Sequence, residues 1–203
     1  PRMKLYFSPG ACSLSPHVVL REAGLPFTTV KVDLKTKAME GGGDYRTINP
    51  NGYVPLLELD DGARLSEGPA IVQYVADRAP HARLAPAQGS FARYRLMEWL
   101  NFITSELHKQ FSPLFDPTYP EDLKASQRDK LGGRFDWIVQ QLAGRDYLMG
   151  EFTVADAYLF TVLNWCGWTG IDLAKWPALQ AYVARVAARP AVQAALKAEG
   201  LVR

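Results

Sequence analysis

A change in the hydrophobic pattern between residues 80 and 90 constrains the fold of this sequence more than any other feature. Before it, the pattern predicts a strand, a helix and a strand, followed by two strands and a helix. After it, from Ser90 onward, every periodic segment has helical spacing. The 203 residues are enough for two small domains, each with its own core. The sequence therefore predicts an α/β domain over residues 1–80, a linker over 81–89 and an all-helical domain over 90–203.

The first three elements form a predicted βαβ unit. A short apolar run predicts a strand over residues 4–7, a helical pattern follows over 13–23, and alternating apolar residues predict a second strand over 27–34. Gly24 can take the left-handed conformation that ends a helix, and Pro26 prevents that helix from continuing.

The next elements complete a ββα unit. Residues 54–68 are typical of two short strands joined at the Asp-Asp-Gly sequence of 60–62, which favours a hairpin turn. Ile71, Tyr74 and Val75 then recur at helical spacing. The first 80 residues are thus predicted to fold as βαβ followed by ββα.

The second half predicts about five helices with buried faces. Leu96, Leu100, Ile103 and Leu107 have the spacing of a helical stripe that faces a core. Residues 154–168 are apolar but too short to cross a bilayer, and they predict a buried helix. Proline and glycine are expected to end the helices, at Pro113, Pro117, Gly144, Gly150, Pro177 and Pro190.

Phe152, Thr153 and Asp156 have the spacing of a helix capping box preceded by a hydrophobic staple. In such a box, the two polar side chains satisfy backbone N–H groups that the helix end leaves without partners. We expect this motif to stabilise the helical domain by on the order of 1 kcal/mol and to take no part in catalysis.

Charge and motif content exclude several classes of function. The formal net charge is +2 and basic residues are mixed with acidic ones, so no nucleic-acid or membrane surface is expected. The three scattered histidines lack zinc-ligand spacing, and no metal site is expected. Neither a glycine-rich nucleotide motif nor a G-x-S-x-G nucleophile motif occurs. Two cysteines and no leader-like N-terminal segment predict a reducing compartment, the cytoplasm.

Cys12 is the first candidate for chemistry because it lies where the first predicted strand gives way to a helix. The N–H groups and the dipole at a helix N-terminus favour a thiolate over a thiol. Ser15 stands where a redox motif would have its second cysteine, so a disulfide of Cys12 needs a partner from outside the motif. The alternative is an inert buried cysteine.

Two further segments give weaker signals. The residues around Val54–Pro55 favour an ordinary trans turn proline; a cis bond would aim the backbone groups of Val54 toward the helix that carries Cys12. Glu67 and Gly68 begin a helix whose N–H groups suit a carboxylate, and Glu67 suits an ammonium group. A plain helix cap explains Glu67 and Gly68 equally well.

The helical half also carries a polar face beside its apolar stripe. Asn101, Ser105 and His108 are spaced i, i+4 and i+7. For a single histidine such as His108, the residues alone favour a structural role. His17 and His81 are expected to be surface or packing residues.

Taken together, these segments resemble the glutathione transferases, and the whole chain, from residue 3 to residue 202, resembles a bacterial beta-class glutathione transferase. The resemblance is carried by "KLYFSPGACSLSPH", "DYRTINPNGYVPLLELDDG", "LSEGPAIVQYVAD", "EWLNFITSELHKQFSPLF" and "FTVADAYLF". It implies a thioredoxin-like N-terminal domain, a C-terminal helical-bundle domain and a homodimer.

The resemblance also implies which residues bind glutathione, the co-substrate of that family. Cys12 would face the glutathione sulfur, and His108 would lie near the same thiol. Gly68 stands where many other classes have serine, so one hydroxyl contact would be missing. Asn101 would contact glutathione partly across the dimer interface. The further implied contacts are Lys37, Val54, Glu67, Ser105, Glu106 and Leu107.

The activity expected from the resemblance is conjugation or exchange of the glutathione thiol with small hydrophobic electrophiles, including xenobiotics, which is a detoxification role. One alternative is a glutathione-dependent disulfide reductase or reductive dehalogenase in which Cys12 exchanges disulfides. Another is a ligand-binding protein of the same fold without turnover. Four aromatic residues are expected either to line the electrophile pocket or to belong to the core: Phe111, Phe115, Trp165 and Trp168.

Overall fold

The computed structural model describes residues 2–203, and the chain divides into two compact units. The first unit ends at Ala85 and also includes Arg189–Arg203, while the second unit is Pro86–Ala188. The sequence placed all of 90–203 in the helical domain, so the grouping of the last fifteen residues with the first unit differs from the prediction. The contacts that cause this grouping are given below.

The first unit contains a four-stranded mixed sheet in the order β2-β1-β3-β4. Strand β1 (Met3–Phe7) pairs in parallel with β2 (Phe27–Lys31) and antiparallel with β3 (Leu56–Glu58), which pairs antiparallel with β4 (Arg64–Ser66). This topology confirms the predicted βαβ-ββα order, the hairpin included.

Strand β2 is shorter than predicted. It ends at Lys31, whereas the alternating pattern extends to residue 34. The Asp33 carboxylate accepts hydrogen bonds from the backbone N–H groups of Lys35 and Thr36 at 2.8 and 3.1 Å. These contacts close an Asx turn that competes with the sheet ladder.

Two helices of the first unit follow the predicted signals. Helix α1 (Leu14–Ala23) ends at Gly24, which has φ 67° in the left-handed region. Helix α2 (Gly68–Arg78) packs against α1. The core between helices and sheet consists of side chains that are fully buried, among them Leu5, Val18 and Val72.

The C-terminal helix α8 (Pro190–Ala198) packs on α1 and thereby joins the first unit. Arg189 pairs with Glu22 at 2.6 Å. Glu199 is buried, and one of its carboxylate oxygens lies 2.6 Å from Nδ1 of His17. The other oxygen accepts the backbone N–H of Gly10 at 2.9 Å. His17 is therefore a packing residue, as expected, while His81 is exposed.

The second unit is helical throughout. Its α-helices are α3 (Phe91–Phe102), α4 (Lys109–Phe115), α5 (Glu121–Leu142), α6 (Val154–Leu163) and α7 (Pro177–Ala187). A π-helical segment, Ile103–His108, joins α3 directly to α4. If α3, this segment and α4 are taken as one run, the helices from residue 90 onward number five with α8, as predicted.

Helix α4 contains Pro113, so the prediction that this proline ends a helix is wrong. The helix continues to Phe115. The predicted apolar stripe is confirmed, since Leu96, Leu100, Ile103 and Leu107 are at most 1% exposed. Within α4, Phe111 and Leu114 on either side of Pro113 are buried, and their burial offsets the local cost of the proline.

Across residues 2–203, no helix is long and apolar enough to cross a membrane.

Candidate functional site

Cys12 lies in the loop between β1 and α1, directly before Ser13, the N-cap residue of α1. Its side chain is partly exposed, and Sγ donates a hydrogen bond of 3.1 Å to the backbone carbonyl of Val54. The Ser13 hydroxyl accepts the N–H of Ser8 at 3.1 Å and lies 3.2 Å from its carbonyl oxygen. The loop that presents Cys12 is therefore fixed at both ends.

The Val54–Pro55 peptide bond is cis. The prediction of a trans bond is therefore wrong. Sequence reasoning could not settle this point because trans is the commoner state even before proline. The carbonyl of the preceding residue, Tyr53, accepts the Tyr45 hydroxyl at 2.8 Å and the Asn49 amide at 2.9 Å. Burial raises the pKa of Tyr45 to about 12, so this hydroxyl remains a donor at physiological pH.

Lys37 lies against the same segment. Its Nζ donates to the carbonyl of Gly52 at 3.0 Å. Gly52 has φ 70°, and a Cβ added there would meet Cε of Lys37 at 3.1 Å. Glycine is therefore required at this position both for its backbone conformation and for the close approach of the lysine.

Glu67 is exposed and has φ 72° and ψ 113°, a conformation that L residues rarely adopt. It is the N-cap residue of α2, yet its side chain makes no cap hydrogen bond. The side chain of Glu67 therefore does not act as a plain helix cap, which was the alternative explanation of this residue. Backbone strain of this kind costs about 1–3 kcal/mol and concentrates at functional sites.

The predicted residues of the first unit converge on residues 52–55. Cys12 contacts Val54, and Lys37 contacts Gly52. A Cβ on Gly68 would lie 3.9 Å from Cγ of Pro55. Five residues from four separate stretches of sequence thus lie at or beside residues 52–55, of which only Tyr53 is exposed: Cys12, Lys37, Val54, Glu67 and Gly68.

The predicted residues of the second unit lie on the π-helical segment and the end of α3. Asn101 and Ser105 are exposed, and each bonds to its own helix backbone, at Met97 and Asn101. Glu106 pairs with Arg134 at 2.9 Å. Leu107 is fully buried, backbone included, so the structure does not offer it to a ligand. The π-helical turn also changes the expected i, i+4, i+7 alignment.

His108 is partly buried, and its Nδ1 lies 2.6 Å from the hydroxyl of Tyr158 on α6. Its ring also packs edge-to-face against Trp165, with centroids 5.0 Å apart. Burial, with a smaller contribution from the neighbouring Lys109 charge, lowers the pKa of His108 to about 4. The imidazole is therefore neutral at physiological pH.

The four candidate aromatic residues separate into two pairs. Phe111 and Trp165 are buried, and their rings are in edge-to-face contact at 5.7 Å. Phe115 and Trp168 are 49% and 60% exposed, and the Phe115 ring lies edge-to-face with that of Trp165, with centroids 6.0 Å apart. The first pair belongs to the core, while the second pair is available to a ligand.

Cys166 cannot serve the same chemistry as Cys12. It is buried on the segment after α6, and burial raises the pKa of its thiol to about 12. The two cysteines are not joined by a disulfide. Among residues 2–203, no group of three or more metal-ligating side chains is placed to hold a metal ion.

Sequence reasoning missed three residues that support the site. Tyr45 holds the backbone before Val54, Glu199 holds the loop before Cys12, and Tyr158 contacts His108. Tyr158 lies in the quoted stretch "FTVADAYLF", but its position i+5 from a cap residue carries no functional signal. Glu199 lies 189 residues from Gly10 along the chain, and no local pattern indicates such a contact.

Comparison with known proteins agrees with this arrangement. The family model of the glutathione S-transferase N-terminal domain matches residues 10–78, and that of the C-terminal domain matches residues 102–190. The chain therefore combines, in one polypeptide, the two domains that define this class of protein.

Similar proteins extend over the whole chain. Glutathione S-transferase GstA of Escherichia coli O157:H7 is 48% identical over 200 residues, which cover 98% of this chain and all of that protein. The structure of a sphingomonad glutathione S-transferase complexed with glutathione is 51% identical, with a TM-score of 0.94. A beta-class enzyme from Sphingomonas chungbukensis is 48% identical, also with a TM-score of 0.94. Both structures match over 98% of this chain and their full length.

The chain belongs to the glutathione S-transferase family. It is thus a transferase, and the resemblance to the bacterial beta class is confirmed.

Proposed function

We propose that this glutathione S-transferase binds glutathione along residues 52–55 and presents its sulfur, beside Cys12, to small hydrophobic electrophiles. The observation that carries the proposal is the 3.1 Å contact between Sγ of Cys12 and the carbonyl of Val54. It places a partly exposed thiol beside the backbone that leads into β3.

Glutathione has two carboxylates, an ammonium group, two amides and a thiol, and the first unit offers a match for each end. The backbone of Val54, just before β3, suits recognition of the cysteinyl amide by strand addition. The Glu67 carboxylate suits the ammonium group, and the backbone N–H of Gly68, at the start of α2, suits the γ-glutamyl carboxylate. The Lys37 ammonium group suits the glycyl carboxylate.

The second unit is proposed to contribute Asn101, Ser105, Glu106 and His108. His108 is the one of these placed near the thiol by the family resemblance. Its imidazole is neutral in the free enzyme and can therefore accept a proton from a ligand. Glutathione is the co-substrate in this proposal, and no metal takes part.

Disulfide exchange is a second activity that the site favours. Cys12 as thiolate can attack the disulfide of oxidised glutathione, forming a Cys12–glutathione disulfide and releasing one glutathione thiolate. Ser15 is buried and is not a thiol, and Cys166 is buried in the other unit, so no second cysteine is placed to resolve the adduct. A glutathione molecule or another reductant must therefore complete the cycle.

We further propose a cytoplasmic homodimer built on α3 and α5. Phe91 and Tyr94 are 72% and 60% exposed on α3, and a pocket of about 570 Å³ is lined by Trp99 and Phe102 of α3 and Trp137 of α5. Arg95 and Glu98 are exposed on the same helix and pair with each other at 3.0 Å. In the proposed dimer, a two-fold axis across α3 brings this charged pair of one protomer against the same pair of its partner.

Charge reversal tests this interface. Arg95→Glu and Glu98→Arg should each lower the dimer fraction in light scattering at micromolar concentration, because like charges then face each other. The double variant should restore the dimer. Trp168→Ala, at an exposed aromatic residue elsewhere in the second unit, should have no effect. A monomeric parent protein would contradict the proposal.

Turnover on a panel of substrates tests the function. With glutathione saturating, the parent protein and Cys12→Ala should be compared on aryl halides, disulfides and chlorinated aromatic compounds. The proposal expects conjugation of aryl halides by both proteins, since the nucleophile is the ligand's own sulfur, and disulfide exchange by the parent alone. Binding of glutathione without turnover on any class would instead favour a ligand-binding protein.

A further inference from the structure

The contacts of His108 form a chain of hydroxyl groups that ends on a backbone carbonyl. Nδ1 of His108 lies 2.6 Å from the Tyr158 hydroxyl, which lies 3.1 Å from Oγ1 of Thr104. Oγ1 of Thr104 in turn donates to the carbonyl of Leu100 at 3.0 Å. All four residues belong to the second unit.

The direction of this chain follows from counting hydrogens. A hydroxyl has one hydrogen, and a carbonyl oxygen can only accept. Because Thr104 gives its hydrogen to Leu100, the hydrogen between Thr104 and Tyr158 must come from Tyr158. The hydrogen between Tyr158 and His108 must then come from Nδ1 of the ring. If Thr104 donated to Tyr158 instead, its hydrogen bond to the Leu100 carbonyl would be lost.

We infer that Tyr158 and Thr104 are positioning residues that hold His108 in the Nδ1–H tautomer and leave Nε2 as a proton acceptor. This inference rests on the proposed function, in which His108 lies near the glutathione thiol. With Nδ1 protonated, Nε2 can accept a hydrogen bond from that thiol. Full transfer would break the S–H bond and form an Nε2–H bond, and the charge of the resulting thiolate must then offset the low pKa of the ring.

Two observations agree with a ring that waits as a neutral acceptor. Burial lowers the pKa of His108 to about 4, so the ring carries no proton of its own at Nε2 before the ligand arrives. Trp165 and Tyr158 both pack edge-to-face on the imidazole and limit its rotation. The π-helical segment brings Thr104 and His108 to the same tyrosine, and such segments are frequent at functional sites.

Nitrogen-15 NMR of histidine-labelled protein reads the tautomer directly. The chain has three histidines, and the signals of His108 are assigned by their loss in His108→Gln. At neutral pH and without glutathione, the inference expects the pattern of Nδ1–H and unprotonated Nε2. The reverse pattern would overturn it.

Variants then test the role of the two hydroxyl groups. Tyr158→Phe should convert most of the His108 population to the Nε2–H tautomer, and Thr104→Val should convert part of it. Tyr119→Phe, in the same unit but outside this chain, should leave the spectrum unchanged. An unchanged tautomer in folded Tyr158→Phe would overturn the inference. If Tyr158→Phe does not fold, an unchanged tautomer in Thr104→Val would overturn it.

The pH titration of bound glutathione thiolate, followed by ultraviolet absorbance, separates this inference from the proposed function. His108→Gln and Tyr158→Phe should both shift the titration of the thiol. If His108→Gln leaves the titration unchanged while the parent spectrum shows Nδ1–H, the proposed role of His108 at the thiol is wrong and the tautomer assignment stands.

Discussion

The carboxylate of Asp156 accepts a hydrogen bond of 2.7 Å from the hydroxyl of Tyr182, and both side chains are fully buried. The same carboxylate accepts the backbone N–H of Thr153 at 2.9 Å and that of Leu148 at 3.0 Å. The Thr153 contact completes the predicted capping box of α6. The other two contacts connect this helix end to α7 and to the segment before α6, and the sequence motif did not predict them.

Asp156→Ala should therefore cost more than a helix cap. A capping residue contributes about 1 kcal/mol, but this substitution leaves three buried donors without their acceptor. We expect the free energy of unfolding to fall by at least about 3 kcal/mol. Urea unfolding measures the change.

Thr153→Ala is the matched control for Asp156→Ala, because it removes only the threonine half of the box. It should cost about 1 kcal/mol. Glutathione affinity should be unchanged in both folded variants. Equal losses in the two variants would show that the contacts of Asp156 with Tyr182 and Leu148 contribute nothing to stability.

Glu67→Gly should make the protein more stable and less able to bind glutathione. Glycine adopts φ 72° without strain, so the free energy of unfolding should rise by about 1 kcal/mol. Loss of the carboxylate should weaken glutathione at least about tenfold, or about 1.4 kcal/mol. Calorimetry and urea unfolding measure the two effects separately.

Two controls separate backbone from side chain at Glu67. Glu67→Gln keeps the strained backbone, so it should lose affinity with little change in stability. Arg83→Gly relieves another left-handed residue, at φ 54°, and should leave affinity unchanged. If Glu67→Gly binds glutathione as tightly as the parent, the carboxylate does not hold the ligand's ammonium group.

His108 should make the protein less stable as the pH falls from about 6.5 to about 4. Its pKa is about 4 in the folded state and 6.5 in an exposed histidine, so in this range the unfolded chain binds a proton that the folded protein does not. Stability therefore rises with pH across this window and is independent of this group above it. The full effect is about 3 kcal/mol, at about 1.4 kcal/mol for each pKa unit.

His108→Gln should remove this part of the pH dependence. The difference in free energy of unfolding between variant and parent should change in favour of the variant by about 3 kcal/mol between pH 7 and pH 4. His81→Gln, at an exposed histidine, serves as the control for removing an imidazole. A difference that does not vary with pH would mean that His108 is not desolvated.

Local signals predicted the elements well where a single residue type has one conformational role. Gly24 ends α1, the Asp-Asp-Gly turn joins β3 to β4, and Thr153 with Asp156 caps α6. The errors arise where distant contacts decide. Pro113 stays within a helix because Phe111 and Leu114, on either side of it, are buried.

The site was predicted where a residue carries its own chemistry and missed where it only supports another. Cys12, Lys37 and Glu67 have reactive or charged groups that a peptide ligand needs. Tyr158 and Glu199 act through His108 and through the loop at Gly10, over 50 and 189 residues of sequence. A single sequence contains no signal for such pairs.

The central claim is that Cys12 lies at the thiol site, and intact-mass analysis after incubation with oxidised glutathione tests it most directly. The account predicts one glutathione adduct per chain, removable by reductant, on Cys12 and not on Cys166, whose pKa of about 12 keeps it a thiol. Cys12→Ala should gain no adduct and should still bind glutathione through Lys37, Val54 and Glu67. An adduct on Cys12→Ala, or on Cys166 of the parent protein, would contradict the account.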